Sequence, residues 1–183
     1  VGVILPGTEV EIVDPVDGVT PCAPLQNGEI RVRGPQLMTG YRNRPEETAQ
    51  TIRDGWLYTG DIGFIDNDGY LAISDRKKDM VIVSGFNVFP REIEEVLYTC
   101  PGVREVAAFG VPHVRKGEAI HVHVVAPGLS AGAIEAFLAE RLTRYKIPSS
   151  VEIVSELPKT AIGKVDKAAL RRAAQADGRA TGP

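Results

Sequence analysis

The apolar pattern of this 183-residue chain changes period near Arg76-Lys77-Lys78, and that change constrains its fold more than any other feature. Before it, apolar residues alternate along short runs bounded by glycine and proline. Val10 and Ile12 share one strand face, Asp14-Pro15 to Gly18 is a turn cluster, and Glu29 to Arg33 alternates again before Gly34-Pro35. Phe64-Ile65 and Tyr70 to Ile73 flank Asn67-Asp68-Gly69, where glycine supplies the positive φ of a hairpin turn. Arg44-Pro45-Glu46-Glu47-Thr48 interrupts the strands with one short helix start. Residues 1–77 therefore read as a small antiparallel β unit, barrel-like in its run of strands.

Helical spacing appears after the change. Pro90 suits a first helical position, and Glu92, Glu94 and Glu95 complement a helix N-terminus while Ile93, Val96 and Leu97 share one face. Pro101-Gly102 stops that helix. Glu105 to Val111 and Ala119 to Ala126 read as strands. Ser130 caps a helix whose apolar face is Ile134, Phe137, Leu138 and Leu142, Val151 to Val154 is a short strand, and Asp166 caps a last helix. Residues 78–183 thus form a compact α+β domain, with residues 175–183 a small, polar, floppy tail. The whole chain is α+β. The charged joint between its halves is short enough to act as a hinge, because a few residues can absorb a backbone rotation.

Composition excludes several classes. Net charge is −3, acidic residues gather toward the start and basic ones toward the end, and no basic run is interleaved with aromatics as nucleic-acid binding requires. Arg171 and Arg172 read as a solvated helix face. No apolar run reaches the roughly 20 residues that span a bilayer. Cys22 and Cys100 lack metal-ligand spacing and read as free, buried thiols of a reducing compartment. A cytoplasmic location follows, with peripheral contact at a membrane compatible with it.

The residues that carry chemistry lie in loops. Lys164 follows Gly163 in Leu157-Pro158-Lys159-Thr160-Ala161-Ile162-Gly163-Lys164. Glycine lets the backbone approach a ligand, and lysine places a positive point charge where negative charge develops. Asp61 follows the glycine turn of Tyr58-Thr59-Gly60, and a carboxylate there can accept from both hydroxyls of a ribose. Arg76 ends a strand, its planar fork suited to ribose or phosphate oxygens or to a salt bridge with Asp75 or Asp79. Ser84-Gly85-Phe86 follows the apolar strand Met80 to Val83 and is either a hairpin turn or a bare surface for a thin ligand. His121 and His123 alternate on one strand face; with no third ligand, a half-exposed face fits them better than a metal. His113 reads as polar surface. No phosphate-cradling glycine loop and no Gly-x-Ser-x-Gly elbow occurs.

Five stretches in fixed order carry a resemblance: Leu5-Pro6-Gly7-Thr8-Glu9; Gly28-Glu29-Ile30 through Gly40-Tyr41 and Arg44-Pro45-Glu46; Asp54-Gly55-Trp56-Leu57-Tyr58-Thr59-Gly60-Asp61; Asp75-Arg76-Lys77-Lys78-Asp79 through Glu92-Ile93-Glu94; and the Lys164 loop. Together they resemble the C-terminal portion of the adenylate-forming superfamily of acyl-CoA synthetases, peptide-synthetase adenylation domains and luciferases. Asp75 to Met80 followed by Val83-Ser84-Gly85-Phe86-Asn87-Val88-Phe89-Pro90 looks most like bacterial fatty-acyl-CoA ligases. Ile82 stands where some relatives carry a lysine, so that lysine's role does not transfer.

The resemblance implies that residues 1–77 are the last β subdomain of a large N-terminal AMP-binding domain and residues 78–183 a mobile C-terminal domain. It implies a ligase that forms an acyl-adenylate from a fatty acid and ATP, then an acyl-CoA from CoA. By matching position, Asp61, Arg76 and Lys164 would bind ATP or AMP, with Lys164 catalytic. Lys78 would be the hinge, and Ser84, Gly85 and Phe86 would line the CoA path. Mg2+ would be held by the missing N-terminal part, the chain's main partner, and the chain alone would be inactive. The alternatives are an aryl-CoA ligase, a carrier-protein acylating adenylation enzyme, and a non-catalytic nucleotide-binding module.

Overall fold

A computed structural model of the chain describes residues 2–176. The chain divides into two compact units, Val1–Lys78 and Asp79–Pro183. Gln175 and Ala176, expected in the tail, still belong to the last helix; the remainder of that expectation, 177–183, lies outside the described residues.

The first unit is a six-stranded antiparallel sheet. Its elements are β1 (Gly2–Val3), β2 (Glu9–Val13), β3 (Gly28–Arg33), helix α1 (Pro45–Thr51), β4 (Ile52–Arg53), β5 (Trp56–Ile65) and β6 (Tyr70–Arg76). The spatial order is β1-β6-β5-β3-β2, with β4 added to β5, so the sheet is an open path rather than a closed barrel. The β5–β6 hairpin turns where its sequence demands. Gly69 has φ 82°, its N–H donates to Asp66 O, and Asp66 Oδ1 accepts from the N–H groups of Asp68 and Tyr70. Val13, Ile30, Trp56 and Ile62 form its buried apolar set.

Glycine permits one unusually close strand approach here. A Cβ on Gly63 would stand 2.1 Å from Ala72 O and 2.8 Å from the Ile30 side chain. Both lie in paired strands that cannot retreat, so this position requires a residue without a side chain.

The second unit is a sheet covered on both faces. It contains β7 (Val81–Val83), β8 (Phe86–Val88), α2 (Pro90–Tyr98), β9 (Glu105–His113), β10 (Gly117–Val125), α3 (Ala131–Ala139), a 3-10 turn (Arg144–Lys146), β11 (Ser150–Ile153) and α4 (Lys167–Ala176). Strand β10 pairs antiparallel with β9 through nine residue pairs. On its other edge it pairs parallel with β11 and, at Gly117, antiparallel with β7. Alternate residues feed two cores. Val106, Ala108, Ile120, Val122 and Val124 meet Ile93 and Leu97 of α2 and Ile134 and Leu138 of α3. Ala107, Phe109, Val111 and Ala119 meet Leu170 and Ala174 of α4.

The helix ends follow the sequence signals. Pro90 opens α2, Ser130 Oγ accepts from Ala133 N at 3.2 Å to cap α3, and Asp166 Oδ1 accepts from Ala169 N at 2.9 Å at the start of α4. Leu142 lies beyond the end of α3 but still packs on the first core.

Three expectations change. The face of His121 and His123 is not half-exposed: His121 is 8% exposed, and both rings lie beside Phe109, with centroids 6.1 and 5.2 Å away. Burial on both sheet faces, which α4 completes, is a tertiary fact that strand alternation alone does not carry. Arg171 is not a solvated residue, because its guanidinium binds Asp79 at 2.7 Å. The cysteines are free but only half-buried. Burial, with the charges of Asp14 and Asp17 adding, pushes the Cys22 thiol above its ordinary 9.0. No helix among the described residues is long and apolar enough to cross a membrane.

Replacing Gly63 by alanine should cost about 1–3 kcal/mol of stability, because neither Ala72 O nor Ile30 can move without disturbing the ladder. Urea unfolding followed by Trp56 fluorescence measures it. An unchanged midpoint would mean that β5 and β6 can separate locally without cost.

Candidate functional site

The sequence places Asp61 in a loop; the structure places it inside β5, on a bulge. Between the pairs Glu29↔Ile62 and Arg31↔Tyr58, two steps along β3 face four along β5. The surplus lifts Thr59, Gly60 and Asp61 out of regular pairing with β3, and Gly60 absorbs the bend at φ 69°. Thr59 restores what the ladder loses: its Oγ1 donates to Ile30 O at 2.8 Å and accepts from Asp61 N at 3.1 Å. The bulge therefore holds the Asp61 carboxylate at a set angle without a loop's freedom.

Arg76, the last residue of β6, stands directly opposite Asp61 in the register. Its Nη1 donates to Asp61 Oδ1 in a short ion pair, with Arg76 exposed and Asp61 largely covered. Arg76 thus pairs with Asp61, while Asp79 pairs with Arg171. An ion pair so open to solvent adds only about 0–1 kcal/mol of stability. It orients two polar groups while leaving Oδ2 of Asp61 and other guanidinium N–H groups for a ligand. Thr59, Gly60, Arg76, Lys77 and Lys78 line a shallow concavity of about 400 Å3 beside it.

Glu29 is the residue that pattern reading missed. It lies in an alternating strand as if facing solvent, yet it is 3% exposed and accepts from Lys77 Nζ at 2.7 Å. Only the fold brings the start of β3 against the chain leaving β6, so no local signal marks the pair. Lys77 is thereby anchored, whereas its neighbour Lys78 lines the concavity and ends the first unit.

The other candidate residues belong to the second unit. Ser84 and Gly85 form a two-residue turn between β7 and β8 with φ 50° and 86°, both left-handed as the tightest hairpins require. A Cβ built on Gly85 meets nothing within 4 Å, so the tip is open, and Phe86 is 54% exposed. The Lys164 loop is a second tight turn. Thr160 N donates to Lys164 O at 2.7 Å, Gly163 N donates to Thr160 O at 2.9 Å, and Gly163 takes φ 79°. The two lysines of this loop differ. Lys159 binds Glu105 at 2.9 Å, whereas the exposed Lys164 has no ion-pair partner among the described residues. His113 Nδ1 accepts from Arg115 N and Lys116 N and serves the β9–β10 turn. No group of three or more potential metal ligands occurs among the described residues.

The family of the AMP-binding enzyme C-terminal domain matches residues 92–164. The chain carries an AMP-binding enzyme C-terminal domain. A long-chain-fatty-acid–CoA ligase of Escherichia coli O6:H1 is 49% identical over 173 residues, covering 93% of this chain and 30% of that protein. The ligase of the same description from Bacillus subtilis is 45% identical over 171 residues, covering 90% of this chain and 30% of that protein. The crystal structure of ATP-bound MatB from Rhodopseudomonas palustris superposes with a TM-score of 0.86 at 38% identity, covering 96% of this chain and 35% of that one. The chain thus spans about 30% of the length of the ligases it matches. The AMP-binding C-terminal domain accounts for most of the second unit, and the α+β fold class agrees with these neighbours.

A double-mutant cycle with Glu29→Gln and Lys77→Met should show a coupling of about 1–3 kcal/mol, the range for a hydrogen bond to a charged group. Chemical denaturation of the four proteins measures it. A coupling near zero would remove the pair as an anchor of the chain leaving β6.

Proposed function

We propose that the chain is the C-terminal part of an ATP-dependent fatty-acyl-CoA ligase. The observation that carries this reading is Asp61 held on the Thr59–Gly60 bulge and paired with Arg76, together with near-50% identity to long-chain-fatty-acid–CoA ligases. Residues 1–78 are then the last β subdomain of a larger N-terminal domain, and the unit from Asp79 onward is the mobile C-terminal domain. Lys78, next to the anchored Lys77 and without an ion-pair partner among the described residues, is the hinge between them.

The reaction has two steps. A carboxylate oxygen bonds to the α-phosphorus of ATP and pyrophosphate leaves, giving the acyl-adenylate. The sulfur of CoA then bonds to the acyl carbon and AMP leaves. Asp61 accepts from the ribose hydroxyls, and Arg76 both steadies that carboxylate and donates to nucleotide oxygens. Lys164 supplies positive charge where negative charge builds on the phosphate during the first step, and it is available to do so because no ion pair with a carboxylate holds it among the described residues. Ser84, Gly85 and Phe86 border the pantetheine path in the second. One mobile domain that offers different turns to two reactions need not compromise between two transition states. Mg2+ would neutralise the phosphates and would be held by residues outside this chain. The parent acts in the cytoplasm on a free fatty acid, with any contact at a membrane surface peripheral.

Pyrophosphate release by the full-length parent, with ATP, CoA and a graded series of fatty and aromatic acids, tests this. Release should peak on a fatty acid and fall about 100- to 1,000-fold in Lys164→Ala, the usual cost of removing one charge-stabilising donor. A peak on aromatic acids would favour the aryl-CoA reading, and undiminished release in the variant would remove Lys164 from the first step. Asp61→Asn should raise the KM for ATP about tenfold with a smaller change in kcat, since it weakens one charge-assisted hydrogen bond of about 1.5 kcal/mol. An unchanged KM would remove Asp61 from nucleotide binding.

A further inference from the structure

The turn that presents Ser84 and Gly85 is short and stands open at its tip, so something else must fix its position. Strands β7 and β8 share three residue pairs. On one side the Ser84 N–H donates to Lys116 O at 2.8 Å, tying the turn to the β9–β10 connection. On the other side lies an aromatic contact. The rings of Phe86 and Tyr145 stack with centroids 4.6 Å apart and planes 20° from parallel. Tyr145 comes from the 3-10 turn Arg144–Lys146, distant in sequence, and packs against the core beneath α2 and α3. The next residue pins that turn: Lys146 Nζ binds both carboxylate oxygens of Glu92 on α2, at 2.5 and 2.7 Å. The same ammonium lies 5.8 Å from the Tyr145 ring centroid, within cation–π range. Phe86, more than half exposed, thus leans on a ring that α2 holds in place.

We infer that Tyr145 is a positioning residue for the thiol step, holding Phe86 and through it the Ser84–Gly85 turn at a set height beside the CoA path. The inference rests on the function proposed above and adds a residue to it. Tyr145 touches neither substrate; it acts through the Phe86 ring. An ordered turn presents one wall to a thin, flexible pantetheine chain, whereas a loose turn must be ordered again at each binding event. The effect therefore belongs to CoA binding and not to adenylate formation, which Phe86 does not serve.

The test uses the full-length parent with Tyr145→Leu, which keeps an apolar side chain in the core but removes the ring, and Tyr145→Phe, which keeps the ring and removes the hydroxyl. The KM for CoA should rise about 2- to 10-fold in Tyr145→Leu, the range expected for one lost aromatic pair. ATP–pyrophosphate exchange without CoA should stay within about twofold of wild type, and Tyr145→Phe should restore the wild-type KM for CoA. Equal losses in both half-reactions, or an unchanged KM for CoA, would overturn the inference while leaving the proposed function standing. A wild-type parent that transfers no acyl group to CoA overturns both. Ring-current shifts of the Phe86 protons, read by NMR in the 183-residue chain with and without Tyr145→Leu, report the stacking independently of catalysis. Shifts that do not respond to the substitution count against the inference.

Discussion

Strand β10 is the constraint on which the second unit depends. It is paired on both edges, with β9 along its length on one side and with β11 and β7 on the other. A strand paired on both edges satisfies its backbone groups internally, so both of its faces are free to be buried. Its apolar residues divide between two cores: Ile120, Val122 and Val124 face α2 and α3, and Ala119 and Val125 face α4. The polar members of the second face, His121 and His123, pack beside Phe109, and His123 Nε2 comes within 3.7 Å of Glu152. Helices α2 and α4 pack on β9 and α3 packs on β11, the strands that flank β10, and the Ser84 and Lys164 turns project from segments that join or flank the resulting sheet.

Ion pairs between elements complete the unit where apolar contact is thin. Glu94 on α2 accepts from Ala108 N on β9 and also binds Lys167 at the start of α4, both at 2.8 Å. Arg171 on α4 reaches Asp79, the first residue of the unit. These pairs are partly covered, so they register the helices against the sheet edge more than they add free energy. Lys146 and Glu92 do the same for the turn that carries Tyr145.

In the first unit the governing feature is a defect in pairing. A regular β3–β5 ladder would point Asp61 by strict alternation and bind its N–H to the neighbouring strand. The bulge breaks that alternation, and Thr59 takes over the lost backbone partners, so the carboxylate is rigidly held. Binding groups mounted on strands are placed more sharply than groups on loops. Beside this pair, Glu29 secures Lys77, whereas Lys78, at which the first unit ends, has no ion-pair partner among the described residues.

Period, caps and turns were legible in the sequence. Alternation marked β3 and β6, Asn67-Asp68-Gly69 marked the hairpin, and Pro90, Ser130 and Asp166 marked three helix starts, because each signal depends on residues within a few positions of one another. Gly60 signalled backbone freedom near Asp61, but not whether a loop or a bulge would use it, since both need the same left-handed residue. Tertiary structure alone decided which distant groups meet: Asp61 with Arg76, Glu29 with Lys77, Arg171 with Asp79 and Phe86 with Tyr145. It also decided that His121 would be buried and that Lys159, not Lys164, would bind Glu105. Local propensity acts over one turn or one hairpin, whereas these contacts are fixed by strand register and helix docking across most of the chain's length.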